Sequence, residues 1–298
     1  MPAALATPEA ASGVGVLPLA TVVVPAHQEE STIERCLEAL LGDAAPGELD
    51  VVVACNGCTD ATAARARSAA ARLGHDVQVL ELDVASKAAA LRAADRAVDG
   101  FPRLYLDADV VCTTATVRRL AAHVAEGAEL AVPSRDLDLS AATLPARLYY
   151  RTWQDLPWVV AARSGRGALL LSEAGRRRAG DFPDVVADDR WVTSAVPPSA
   201  VRIASDAACT VRPPARLRDV VRVRARVYAG NTQLERQGLA PAHDRSLSGR
   251  LARLARLVGR PSRWPGLVVF VVATAAAKGM ARSAAGRGWA RDARRGQA

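Results

Sequence analysis

Leu104-Tyr105-Leu106-Asp107-Ala108-Asp109 is a short apolar run that ends in two carboxylates one residue apart. In an extended strand, side chains alternate between faces, so positions i and i+2 point the same way. The spacing predicts that Asp107 and Asp109 converge at the carboxyl end of a strand. In open α/β sheets that edge is where ligands bind. Two hard oxygen ligands there suit Mg2+ or Mn2+, with a diphosphate supplying further oxygens. The competing reading is an Asp-rich turn, which is common after strands. The rest of the chain has to decide between them.

Upstream, the chain alternates short β-branched runs with helical patterns. Residues 19–24 (Leu-Ala-Thr-Val-Val-Val) read as a buried strand, stopped by Pro25. Ser31-Thr32-Ile33-Glu34 reads as a capping box, and Ile33, Leu37, Leu40 and Leu41 then share one helical face. Residues 49–54 form a second strand pattern. Asn56-Gly57 turns the chain, and Thr59 or Asp60 is placed to cap a helix that ends at Gly74. Residues 77–82 follow as a third strand, and Ser86 caps a helix running to Val98. Residues 103–106 are the fourth strand. The order β-α-β-α-β-α-β predicts an α/β fold with a mostly parallel sheet flanked by helices. Strand ends along one edge would then bring together His27, Gln28, Glu29, Asn56, Asp60, Asp107 and Asp109. Lys87, at a helix start, adds positive charge toward a phosphate.

The 298 residues carry a net charge of +8, unevenly spread. From Arg212 onward there are 19 basic and 4 acidic residues, a net of +15, which leaves 20 basic against 27 acidic before it. A basic tail can meet nucleic acid, anionic lipid or a phosphorylated substrate. Its arginines keep apolar rather than aromatic company, so no nucleic-acid partner is expected. The five cysteines are odd in number and scattered, which argues against a disulfide framework. Cys55 and Cys58 have C-x-x-C spacing, but no second pair completes a zinc set. Residues 1–18 lack a basic start and a continuous apolar core, and they read as a flexible tail rather than a signal peptide.

Six segments in order resemble the family 2 glycosyltransferases with the GT-A fold. They are Val23-Val24-Pro25-Ala26-His27-Gln28-Glu29-Glu30, Asn56-Gly57-Cys58-Thr59-Asp60-Ala61-Thr62, Ser86-Lys87-Ala88-Ala89-Ala90-Leu91, and Asp107-Ala108-Asp109. Phe182-Pro183-Asp184-Val185-Val186-Ala187-Asp188-Asp189 is similar to the family's acidic motif. Arg224-Ala225-Arg226-Val227-Tyr228-Ala229-Gly230 is similar to its basic motif. The resemblance implies a nucleotide-sugar donor, with Pro25, Ala26 and Glu29 beside the nucleoside. It makes Asp107 and Asp109 a D-x-D pair for Mn2+ or Mg2+, with Asp109 favoured as the direct ligand. It makes Asp188 and Asp189 the acidic pair, with Asp189 as catalytic base. Arg224 and Arg226 would help hold the diphosphate or the acceptor. The chain departs from the family pattern at Cys55, where the family often has an Asp that reads the nucleobase, and at Val227, where it has Trp.

The reaction so implied is inverting transfer of a sugar to a hydroxyl or phosphate acceptor, an EC 2.4 activity. Alternatives are a polyprenyl-phosphate sugar transferase at the membrane and a non-catalytic nucleotide-sugar binding protein. A nucleotidyltransferase would begin with a Gly-rich loop, and Pro25-Ala26-His27-Gln28 is not one. Asp188-Asp189 also reads as a helix cap. His27 also reads as a solvated loop residue, Lys87 as a surface lysine and the Arg224 segment as a solvated basic face. Ser164-Gly165-Arg166-Gly167 reads as acceptor-cleft lining or as a plain loop. Tyr149, Trp153 and Trp158 read as sugar-stacking or core aromatics.

In the tail, Arg250, Arg253, Arg256, Arg260 and Arg263 alternate with leucines, a basic amphipathic pattern. Residues 266–277 are apolar but too few for a span, which needs about 20. A buried or interfacial helix is expected. The expected organisation is a tail over 1–18, a catalytic domain over 19–240 and a helical tail over 241–298. The expected location is cytoplasmic, peripheral to an anionic membrane surface at the inner face of the cell membrane. Expected partners are the nucleotide-sugar donor and a hydroxyl or lipid-linked acceptor.

Overall fold

The computed structural model describes residues 17–241 and 263–284. The expectations for residues 1–16 and for the arginine repeat from Arg250 to Arg260 lie outside the described residues. The first four strands form in the expected order: β1 (Ala20–Ala26), β2 (Leu49–Asn56), β3 (Val77–Leu82) and β4 (Arg103–Leu106). Between them lie α1 (Ile33–Leu41), α2 (Thr62–Leu73) and α3 (Lys87–Ala97). Next come β5 (Val110–Val111), α4 (Thr114–Ala125), β6 (Leu130–Leu137), α5 (Leu144–Gln154), α6 (Pro157–Val160) and β7 (Ala168–Leu171). They are followed by α7 (Glu173–Ala179), α8 (Asp188–Ala195), β8 (Val201–Val211), α9 (Leu217–Arg236) and α10 (Trp264–Ala284).

The eight strands make one sheet in the order β3-β2-β1-β4-β7-β6-β8-β5. The β3-β2-β1-β4 block is parallel, and β8 is parallel to β6. β7 runs antiparallel to both β4 and β6, and β5 antiparallel to β8. The apolar runs of the parallel block follow from burial on both faces. Along β1, Val22 and Val24 enter one core with Ile33, Leu37 and Leu40 of α1. Val23 enters the opposite core with Leu91 of α3. Each such side chain contributes about 1.5–3 kcal/mol when fully buried.

Ser86 caps α3 as expected, accepting from the Ala89 N–H at 3.2 Å. Gly74 ends α2 in the left-handed conformation. Two helix starts differ from expectation. The capping box at Ser31 does not form: the cap position of α1 falls one residue later, on Thr32, without a side-chain cap bond, and the Thr32 hydroxyl donates to the Glu29 carboxylate at 2.6 Å. At α2 the cap position falls on Ala61, and Asp60 accepts from the Thr62 N–H and hydroxyl just inside the helix.

α10 runs for 21 residues, well past the twelve-residue apolar segment seen in sequence. By length and composition it is long enough to cross a membrane. One face nevertheless packs on α5 and α9, burying Phe270, Ala273, Ala277 and Ala281. The Phe270 and Tyr149 rings meet at 5.5 Å.

Candidate active site

β4 stops at Leu106, and Asp107-Ala108-Asp109 turn tightly, with the Val110 N–H donating to the Asp107 carbonyl at 3.1 Å. The acidic pair is therefore placed by a turn at the strand end, and not by strand alternation as the spacing suggested. The Asp107 N–H donates to the Gly167 carbonyl at 2.9 Å, which ties the turn to the loop before β7. Gly167 has φ +76°, and a Cβ there would lie 2.5 Å from Val110, so the approach requires glycine. The Asp109 carbonyl accepts from Arg35 of α1 at 3.4 Å.

Lys87 joins the two acidic segments. Its Nζ lies 2.7 Å from Asp107 Oδ1 and 3.1 Å from Asp188 Oδ2. Burial pulls its pKa down, but Asp107 and Asp188 outweigh that and hold the ammonium above its ordinary range. With 41% of the side chain exposed, the two carboxylates govern the direction. The helix-cap reading of Asp188-Asp189 does not hold, because the cap position of α8 is Ala187. Both acids lie in its first turn, where the helix dipole favours negative charge. Asp189 Oδ1 accepts from the Arg190 N–H at 2.7 Å, and Oδ2 accepts from the Gly165 N–H. Burial, then the charge of Asp188, raises the Asp189 carboxyl to about 6, against the opposing pull of Lys87.

At the ends of β1 and β2, two loops are zipped together. Asn56 is buried, and its Nδ2 donates to the Ala26 carbonyl at 2.8 Å. His27 is exposed, and its Nδ1 donates to the Asn56 carbonyl at 2.6 Å. Gln28 takes φ +56° and bonds Thr59 through both ends of its amide. The Glu29 N–H donates to the Thr62 hydroxyl at 2.8 Å, and the Glu30 N–H to Asp60 at 3.2 Å. Burial raises the Asp60 pKa, but hydrogen bonds from Thr62 and Glu30 outweigh it and leave it lowered. Pro25 and Ala26 are buried beneath these loops. Burial, then the Cys58 thiol, pushes the Cys55 thiol up to about 12, so Cys55 is a neutral group buried in the core beneath these loops. These residues lie together at the carboxyl ends of β1 and β2, with His27 and Thr59 exposed.

The basic segment lies on α9. The Arg224 guanidinium lies 5.5 Å from the Trp153 ring centroid and 5.1 Å from that of Tyr228. Arg226 is half-buried two residues further on, on a different face of the same helix. The residue that sequence reading missed is Arg135, at the end of β6. Its guanidinium stacks 4.3 Å over Trp153 and donates to the Gly165 carbonyl. Gly165 thus links Arg135 to Asp189 through its two peptide groups. A lone arginine in the strand Leu-Ala-Val-Pro-Ser-Arg carried no motif, so no local signal pointed to it.

The donor chemistry at the turn suits a hard divalent cation. Asp107, Asp188 and Asp189 face a single Lys87, which leaves an excess of carboxylate oxygen. Among the described residues no three His, Cys, Asp or Glu side chains form a ready-made ligand set. Remaining coordination positions would have to come from diphosphate oxygens or water.

A parallel block whose carboxyl edge carries an acidic turn, a lysine and a second acidic pair defines a nucleotide-sugar-dependent transferase of the GT-A class. Residues 21–173, more than half of the chain, match the model of Glycosyl transferase family 2, and the chain belongs to that family. It is a glycosyltransferase of class EC 2.4 that uses a nucleotide-sugar donor. Among solved structures, it is similar to a mannosyltransferase from Pyrobaculum calidifontis in complex with GDP-Man and Mn2+. That match has a TM-score of 0.58 at 20% identity and covers 92% of this chain and 77% of that one. It is also similar to glucosyl-3-phosphoglycerate synthase from Mycobacterium tuberculosis in complex with Mn2+, uridine-diphosphate and phosphoglyceric acid. There the TM-score is 0.54 at 18% identity, covering 75% and 80% of the two chains. At these identities the likeness is one of fold. No curated protein matches the chain.

Proposed function

We propose that the chain is an inverting, metal-assisted glycosyltransferase in which Asp189 is the general base. The observation that carries this reading is the placement of Asp189. It is half-buried beside Asp188, its pKa is raised toward neutrality, and one oxygen is oriented by the Gly165 N–H. A base is most effective when its pKa lies near the working pH. An acceptor hydroxyl approaching Asp189 attacks the anomeric carbon from the side opposite the diphosphate. The new C–O bond forms as the bond to the diphosphate breaks. The acceptor proton passes to the Asp189 carboxylate, and the electron pair leaves on the diphosphate oxygen. A single direct displacement inverts the anomeric centre.

Asp107 and Asp109 would hold Mn2+ or Mg2+, which when bound supplies neutralising charge to the leaving diphosphate. The Mn2+ in both solved relatives supports this reading. Lys87 adds a fixed positive charge on the same edge, and Asp188 holds it there. Pro25, Ala26, His27, Glu29, Cys55, Asn56 and Asp60 form the nucleoside side of the cleft. Arg224 and Arg226 belong to the acceptor side. A peripheral location on the inner face of the cell membrane is part of the proposal, supported by the exposed apolar face of α10 and the basic charge of the tail.

The test is Asp189→Asn. Transfer should drop by about 10²–10⁴-fold, the usual worth of a general base. Stabilisation of the protein by nucleoside diphosphate with Mn2+ should persist. Full transfer activity in Asp189→Asn would remove Asp189 from the base role. If no nucleoside diphosphate stabilises the wild type in a Mn2+-dependent way, the donor-site assignment fails.

A further inference from the structure

We propose that Arg135 and Arg224, gathered around Trp153, form a subsite for a phosphate group on the sugar acceptor, one residue away from the general base. This rests on the reading of Asp189 as base and extends it to the class of acceptor.

Both guanidiniums lie against the same indole, Arg135 at 4.3 Å and Arg224 at 5.5 Å from its centroid. The three side chains come from β6, α9 and α5, and each is half-buried, so the cluster is sheltered but open to a ligand. Among the described residues neither arginine has a carboxylate partner. Arg135 donates to the Gly165 carbonyl, and Arg224 makes a long 3.4 Å contact with the Tyr228 hydroxyl. The Nε of Arg224 is buried with no hydrogen-bond acceptor among the described residues.

More positive charge surrounds them. Arg166 is buried nearby, but it gives its donors to the carbonyls of Ala162, Pro133 and Val160, at 2.8, 3.0 and 2.9 Å. Among the described residues it has no carboxylate partner, and its donors are given to these carbonyls. Lys278 of α10 stands 6.0 Å from the Tyr228 ring. Burial, then the charges of Arg166 and Arg224, pulls the Arg135 pKa down to about 10, so it is still cationic near neutrality. Sheltered like charges without a counter-ion are costly unless an anion arrives. Planar guanidiniums match the geometry of phosphate and bind it bidentately.

A neutral sugar acceptor would account for this cluster less well. One face of Trp153 is already covered by Arg135, and among the described residues the two sheltered guanidiniums have no carboxylate to donate to. A phosphate bound there would be held one residue, Gly165, from Asp189, which fits an acceptor whose reactive oxygen lies close to its phosphate.

The experiment is calorimetric titration of the full-length protein with methyl phosphate and with farnesyl phosphate, using methanol and farnesol as uncharged controls. Wild type, Arg135→Gln, Arg135→Lys, Arg224→Gln and Arg222→Gln are compared, each checked for unchanged thermal unfolding. Arg222 is exposed and pairs with Asp219 on its own helix, so it reports on general surface charge. The phosphates should bind the wild type and the alcohols at least tenfold more weakly. Arg135→Gln and Arg224→Gln should each weaken phosphate binding tenfold or more. Arg135→Lys should fall between, and Arg222→Gln should match wild type. Equal affinity of the two phosphates points to a soluble acceptor, and tighter farnesyl phosphate to a lipid-linked one. Phosphate binding that is absent in wild type, or unchanged in both glutamine variants, overturns the proposal. Nucleoside diphosphate with Mn2+ is titrated separately. Its failure to bind while phosphate binding follows the arginines would sink the donor assignment and leave this subsite standing.

Discussion

At the residue scale, Asp189 carries conflicting demands. Its carboxyl is raised to about 6 by burial and by Asp188, whereas an ordinary aspartate ionises near 3.8. As the proposed base, Asp189 acts only when ionised. Transfer should therefore hold a plateau above about pH 6 and fall about tenfold per unit below it, as one proton is taken up. A rate profile flat down to pH 5 would assign the base elsewhere. Stability runs the other way. The folded protein prefers the protonated form, so ionisation of Asp189 costs nothing below the unfolded value and its full penalty above about 6. Free wild type should gain heat stability relative to Asp189→Asn as pH falls from 7.5 to 5. Parallel unfolding temperatures for the two proteins across that range would show that the carboxyl is not raised. A site that holds a carboxylate in this state gives up stability for reactivity.

At the scale of elements, α3 matters because Lys87 is its first residue. Near its other end, Asp95 accepts from Arg103 and the Tyr105 hydroxyl on β4, at 2.8 and 2.7 Å. It also accepts from Arg176 on α7 at 2.6 Å. The side chains of Asp95 and Arg103 are 10% and 5% exposed, so breaking this network strands buried charge. Asp95→Ala should cost about 3–5 kcal/mol in urea unfolding and weaken donor binding by loosening α3. A loss under about 1 kcal/mol would mean that water replaces the carboxylate. Elements of this kind were legible where the signal is local. The valines of β1 and β2, the face of α1, the Ser86 cap and the Gly74 stop all act within a few residues. The Ser31 capping box does not form because the cap position of α1 falls one residue later, at Thr32, whose hydroxyl turns back to Glu29 outside the expected motif. The Asp107 turn was misjudged because the contact that shapes it comes from Gly167, on a loop that returns beside β4 only once β7 is paired. Arg135 was illegible for the same reason. Its meaning lies in Trp153 and Gly165, which the chain brings to it through space and no periodicity records.

At the scale of the whole molecule, charge and apolar surface are segregated. The chain is net −7 before Arg212 and net +15 from there on. α10 lies within the basic part and is apolar around most of its circumference. Phe270, Ala273, Ala277 and Ala281 face α5 and α9, while Trp264, Val268, Val271, Val272 and Met280 are exposed. An exposed apolar stripe on a helix calls for a further apolar neighbour. We propose an anionic one, because the sequence from Arg212 onward is net +15 and each basic residue near such a surface contributes about 1 kcal/mol. The full-length protein should therefore co-sediment with phosphatidylglycerol vesicles, bind phosphatidylcholine vesicles at least tenfold more weakly, and be released as salt rises, because exposed charges are screened. Val268 and Val272 are 62% and 60% exposed, so changing both to Asp should leave the fold unaltered while reducing vesicle binding. Unchanged vesicle binding in that double variant would separate charge attraction from α10 and leave the helix face to a protein partner. Loss of vesicle binding with farnesyl phosphate binding intact would instead show that membrane attachment and acceptor recognition are independent properties of the same chain.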